Sequence, residues 1–191
     1  MMDETASTAR VLRLDDYRRD AWSAADATWE QVTAGAIAAL GRGDRLQPAL
    51  LLPRAEEVAR LRLPVDDPRR AASLTLLSRR QHGLGNRSAA GRLLAEAREA
   101  WLAAEGWLER LRPGADAAEQ ADCRRMLGLA IAFADSLGRD QPLPVVPLPT
   151  ATSELLAGLA PDRRKLVAAV AFATARLAPG AAAVAGARSS R

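Results

Sequence analysis

"ALGRGDRLQPALLLPRA" (residues 39–55) is echoed by "QHGLGNRSAAGRLLAEA" (residues 81–97). Gly41, Gly43, Arg45, Leu51, Leu52 and Ala55 recur as Gly83, Gly85, Arg87, Leu93, Leu94 and Ala97, all at an offset of 42 residues, and Asp44 is matched by Asn86. A glycine pair after a run of helix formers marks a helix C-terminus, because glycine tolerates the left-handed backbone that ends a helix. The Asp or Asn behind it can cap a following helix. Each stretch therefore predicts a turn between two helices. The first helix carries a small residue at its middle, Ala36 or Ser78, and the second presents Leu52 and Ala55, or Leu94 and Ala97. Small side chains permit close approach and leucine fills the remaining gap, which is the packing of an antiparallel helical hairpin.

The composition agrees with helix throughout. Hydrophobic residues make up 49% of the 191 and aromatics only 4%, so the apolar positions are filled largely by Ala and Leu, strong helix formers and poor strand formers. No stretch alternates apolar and polar residues over a strand's length. The expected fold is all-α, with antiparallel helical hairpins stacked as a short solenoid or an irregular bundle, in one domain.

The chain divides by turn signals. Residues 1–10 are polar and small and are expected to form a flexible N-terminus. From Val11 to Leu40 the pattern is one long helix or two consecutive ones, with Trp22 and Trp29 on one face. A helix from Leu46 to Leu61 contains Pro53, so it is either kinked or starts near that residue. Asp67 and Pro68 open the next helix as N-cap and first helical residue, and it runs to His82. Asn86 or Ser88 begins a long helix to Leu111 carrying Leu93, Leu94, Ala97, Trp101 and Leu108. Residues 116–137 carry Cys123, Met126, Leu127, Ala130, Ala134 and Leu137 in steps of three and four. The helical repeat domain thus spans 11–137. A Pro-rich linker over 138–153 is expected to be extended, with Pro144 and Pro147 at the spacing of a minimal PxxP ligand. A capping helix within 154–180 runs from Pro161 to about Leu177, and 181–191 is a flexible tail.

The hairpin pattern resembles the tetratricopeptide repeat, whose 34-residue unit pairs two helices around a Gly-containing turn. Residues 29–62 and 71–104 can be laid on that unit without gaps, little more than a third of the chain. The match is degenerate: Ala39 and Gln81 stand where the unit has tyrosine, and Pro48 stands where it has a small residue. The resemblance implies a concave groove lined by the first helix of each unit, where a partner protein or peptide binds. On these positions it implies Glu30, Thr33, Ile37 and Leu40 from the first copy and Thr75, Arg79 and His82 from the second. An inward guanidinium at Arg79 could grip a partner's carboxylate; the plainer reading is that Arg79 and Arg80 solvate a helix face.

Signs of catalysis are absent from the spacing. His82 is the only histidine, which argues against multi-histidine zinc sites, and Cys123 lies on an apolar stripe as a buried thiol does. Asp15 with Asp16 and Glu56 with Glu57 are sequence neighbours that diverge on a helix, and "GLGNRSAAG" lacks the Lys-Ser/Thr end of a phosphate loop. No enzyme, cofactor or metal is expected. The formal charge is +4, with Lys165 the only lysine, and residues 60–92 hold eight Arg against Asp66 and Asp67. Nucleic-acid binding through this basic block is the alternative to protein binding, as adaptor, assembly factor or accessory subunit. With no signal core, no run long enough to span a bilayer and a single cysteine, a cytoplasmic chain without membrane contact is expected. Oligomeric state and partner identity are not written in the pattern.

Overall fold

A computed structural model describes residues 22–108, 117–139, 141 and 156–175. The expected N-terminal segment, the helix start at Val11, the Pro-rich linker from residue 142 on with its PxxP and the C-terminal tail fall outside the described residues, while Gly138, given to the linker, is the last residue of a helix. Among those described there are six helices and no strand: α1 (Ala24–Gly41), α2 (Gln47–Arg62), α3 (Pro68–Gly83), α4 (Arg87–Leu108), α5 (Ala117–Gly138) and α6 (Pro161–Thr174). The fold is all-α.

The repeated turn is the same structure twice. Gly43 and Gly85 have φ of 75° and 79°, the left-handed conformation that terminates α1 and α3. The N–H of Asp44 donates to the carbonyl of Ala39 (3.0 Å) and that of Gly43 to Leu40 (3.0 Å); Asn86 donates to Gln81 (2.9 Å) and Gly85 to His82 (2.9 Å). These paired bonds are the Schellman closure, which satisfies the last carbonyls of each helix. Behind it, Asp44 Oδ1 accepts from the N–H groups of Leu46 (2.8 Å) and Gln47 (3.1 Å) and so caps α2. In the second copy the carbonyl of Asn86 accepts from Ala90 (2.9 Å), so α4 starts at once and runs earlier from its turn than α2 does.

Other boundaries follow local chemistry. α1 opens at a capping box: Ser23 Oγ accepts from the N–H of Asp26 (3.3 Å) while Asp26 Oδ2 accepts from the N–H of Ser23 (2.6 Å). Asp67 caps α3 with Pro68 behind it, as its sequence predicts. α2 starts at Gln47 with Pro48 in its first turn and continues through the exposed Pro53, which supplies no N–H to the carbonyl four residues before it.

Each helix packs on the next in sequence from α1 to α5, and α6 packs on α1, α3 and α5. The C-terminal helix, expected as a cap, therefore lies against the alternate helices of the array. Nine consecutive residues, Lys165–Ala173, are buried. One core runs through the molecule, joining Trp29, Leu52, Leu76, Trp101, Leu127, Leu166 and Val170. Both Trp101 and Trp107 are buried within it, and Cys123 is buried as its stripe suggests, with burial pushing its thiol pKa up.

Candidate binding cleft

Of the residues implied by the repeat resemblance, all on α1 and α3, Glu30 and Arg79 bond to α6 and its C-cap. Glu30 Oε1 and Oε2 accept from Nη2 and Nε of Arg164 (2.8 and 3.2 Å), a two-point pair between α1 and α6. Thr33 is fully buried, and its hydroxyl has no hydrogen-bond partner. Ile37 and Leu40 are half-buried against the core. Thr75, also fully buried, donates to the carbonyl of Ala71 (2.8 Å) and accepts from Trp101 Nε1 (3.1 Å). Arg79 donates through Nη1 to the carbonyls of Ala173 (3.1 Å) and Ala175 (3.0 Å), closing the C-terminal end of α6. His82 is exposed.

The side of α1, α3 and α5 on which the resemblance implies a groove is covered by a helix of the same chain, held at both ends. At the N-terminal end of α6, Arg163 reaches Asp122 (2.9 Å) and Glu119 (3.8 Å) of α5, while Arg164 pairs with Glu30 and lies 4.0 Å from the centre of the Trp22 ring. Near its C-terminal end, Phe172 meets Trp29 at 5.5 Å between ring centres. Arg79 then meets the negative end of the helix dipole.

Beyond that end a cleft opens. Arg79 and His82 are brought together in a cleft of about 540 Å³ where the C-terminal ends of α3 and α5 meet the N-terminal half of α4. Ser78, Gly83, Ala90, Gly91 and Gly138 make the space by their small size, and Leu94 and Leu137 give it an apolar floor. Ser78 Oγ is engaged with the carbonyl of Ala90 (2.8 Å), which pins α4 to α3 beneath the cleft. A Cβ added at Gly91 meets nothing within 4 Å, whereas one at Gly138 comes 3.2 Å from Leu94. Arg87 lines the cleft with His82, and none of the described lining residues is a carboxylate.

Of the residues lining this cleft, the sequence-implied binding positions include Arg79 and His82 but not Arg87, Gly91, Leu94 or the end of α5. Arg87 and Leu94 were already conspicuous as members of the repeat, and a lone glycine inside a helical pattern, as at Gly91, is a recognised signal of a packing or binding role. The contribution of α5 depends on a long-range contact that spacing does not encode.

A second polar centre lies at the opposite end of α3. Arg69, 1% exposed, pairs with Asp67 (2.6 Å) and with Asp26 across from α1, and Trp22 and Trp29 stack within 5.9 and 5.7 Å of its guanidinium carbon. Burial alone would lower the Arg69 pKa, but Asp67 and Asp26 outweigh it and hold it above the ordinary value. Its enclosure also thins the basic block of residues 60–92: Arg69 and Arg79 serve the interior, and Arg60 pairs with Glu56 (3.4 Å).

No described helix is long and apolar enough to cross a membrane, and no described group of three or more His, Cys, Asp or Glu is placed to hold a metal ion. No protein-family model matches the chain, and no curated protein or solved structure is significantly similar to it.

Proposed function

We propose that this chain is a non-catalytic protein-interaction module that receives a segment of a partner protein in the cleft between α3, α4 and α5. The observation that carries the reading is the cleft itself. Rigid helix ends hold cationic and apolar side chains around an opening of about 540 Å³, within the range that takes a compact ligand or a few side chains of a peptide. A tetratricopeptide-like plan for the array is supported by the shared turn at Gly43 and Gly85 and by the common face of α1, α3 and α5. In that plan a helical guest lies on the alternate helices, and α6 already lies there. A partner then meets the open end of the groove, where Arg79 and His82 are found.

The test is position-specific photo-crosslinking in cells. A crosslinking amino acid at Gly91, where the added side chain meets open space, should trap a discrete partner. The same group at Arg54, on the outer face of α2, should not. Equal products from both positions, or none from Gly91, would overturn the assignment of the cleft.

A further inference from the structure

We infer that the cleft selects a partner segment carrying an acidic side chain next to an aliphatic one, the carboxylate seated by Arg79 and Arg87 and the aliphatic group on Leu94 and Leu137. This rests on the proposal above that the cleft is the partner site, and it names the chemistry the site reads.

The argument starts from how this fold treats its enclosed arginines. Arg69, Arg163 and Arg164 each hold a carboxylate from another part of the chain. Arg79 does not. Its Nη1 meets two backbone carbonyls, and its guanidinium carbon lies 5.3 Å from the centre of the Phe133 ring. Carbonyl dipoles and a ring face offer partial charge only, so the formal charge of Arg79 is left uncompensated by any described carboxylate. Burial accordingly pushes its pKa down, with no opposing cause. Arg87 likewise makes no ion pair with a described carboxylate, and none of the described residues lining the cleft is a carboxylate. Two guanidinium groups on adjoining helices, lining an open cleft with no carboxylate among its described residues, attract an anion into it.

The shape distinguishes a peptide from a bare oxyanion. A guanidinium presents five N–H donors in a fixed plane, so Arg79 keeps an edge for a carboxylate while Nη1 holds α6. Beside that edge, Leu94, Leu137 and Ala90 give an apolar floor, which inorganic phosphate cannot use. A glutamate flanked by leucine satisfies both surfaces at once. The arrangement also gives specificity through geometry, because the arginines are placed by α3 and α4 and those helices are locked together by the Ser78 to Ala90 bond.

The experiment uses the full chain, labelled with ¹⁵N and titrated with three probes: N-acetyl-Leu-Glu-amide, N-acetyl-Leu-Gln-amide and inorganic phosphate. The glutamate peptide should shift the amides of Gly83, Gly91 and Gly138 saturably, and the glutamine peptide should bind about tenfold more weakly, since it lacks the charge-assisted pairs. Arg87→Glu, and the milder Arg87→Gln, should reduce glutamate-peptide binding to the level of the glutamine peptide while leaving the melting temperature unchanged, as Arg87 is exposed. Equal binding of the two peptides, phosphate binding as tight as the glutamate peptide, or no shift at millimolar peptide would each overturn the inference. A specific crosslink at Gly91 together with equal peptide binding would sink the carboxylate preference alone; loss of the crosslink as well would sink the site.

Discussion

Thr33 and Thr75 occupy equivalent places, 42 residues apart, and both are fully buried, yet their hydroxyls have opposite fates. Trp101 supplies an indole N–H to Thr75, whereas the residue at the equivalent place in the first copy is Ala59, and Thr33 Oγ1 has no partner. A buried hydroxyl without a bond loses its hydration and gains nothing. Thr33→Val should therefore leave stability unchanged or raise it by about 1 kcal/mol, and Thr75→Val should lower it by about 1–3 kcal/mol by stranding the Trp101 donor, both read from urea unfolding. A loss at Thr33 as large as at Thr75 would mean that the Thr33 hydroxyl is bonded after all. Asp26 offers a test by pH. Burial acts to raise its pKa, but Arg69 and the Ser23 hydrogen bonds outweigh burial and hold it below the usual 3.8. Folding then favours the ionised form, so the contribution is complete above the unfolded value and is lost as pH falls through the lower folded value. The stability difference between the wild type and Asp26→Asn should be constant from about pH 7 to about pH 5 and shrink below about pH 4. A difference that persists undiminished to about pH 2 would show that the Asp26 charge is not what Arg69 holds.

At the scale of helices and turns, the glycine pairs separate two roles that look alike in the sequence. Gly43 and Gly85 have positive φ, while Gly41 and Gly83 are the last residues of α1 and α3, and a Cβ at any of the four meets nothing within 4 Å. Steric space being equal, only backbone conformation distinguishes them. Gly43→Ala and Gly85→Ala should each cost about 1–2 kcal/mol, the strain of an L-residue in the left-handed region. Gly41→Ala and Gly83→Ala should instead be neutral or stabilise by up to about 1 kcal/mol through helix propensity. Thermal melts of the four variants check the division, and equal losses at all four positions would contradict it. The hairpins were legible because a C-terminal glycine, an Asp cap and a leucine at fixed spacing are all local signals. The start of α1 was legible too, since "SAAD" at 23–26 is a capping-box pattern, but the continuous helical periodicity upstream concealed it. Pro53 shows the opposite case, a local breaker overridden: α2 continues through it because Leu52 and Ala55 on either side are anchored in the core. The cleft was half legible, through Arg79 and His82 of the repeat and not through the end of α5, whose approach is fixed by tertiary packing.

For the molecule as a whole, the decisive element is α6. An amphipathic helix has one buried stripe, but Lys165–Ala173 are buried all round, which is the burial of a helix enclosed by others. "KLVAAVAFATAR" carries that signal in its near-uniform apolar character, though nothing local states that α1, α3 and α5 surround it. Its position makes the hairpin array dependent on it, because Trp29, Phe172, Leu166 and Val170 belong to one core and the two-point pair of Arg164 with Glu30 ties the first helix to the last. A chain ending before residue 156 should therefore lose cooperative thermal unfolding, lose the near-ultraviolet dichroism of its fixed tryptophans and bind a hydrophobic dye, and a synthetic peptide of residues 156–175 added in trans should restore all three. Retention of a cooperative melt by the shortened chain would reveal α6 as a detachable guest, and partner binding would then have to be sought on the whole face it covers. With α6 integral, that face is covered by the chain itself, and the proposed partner site falls to the open end, where Arg79 touches the last turn of α6 and lines the cleft.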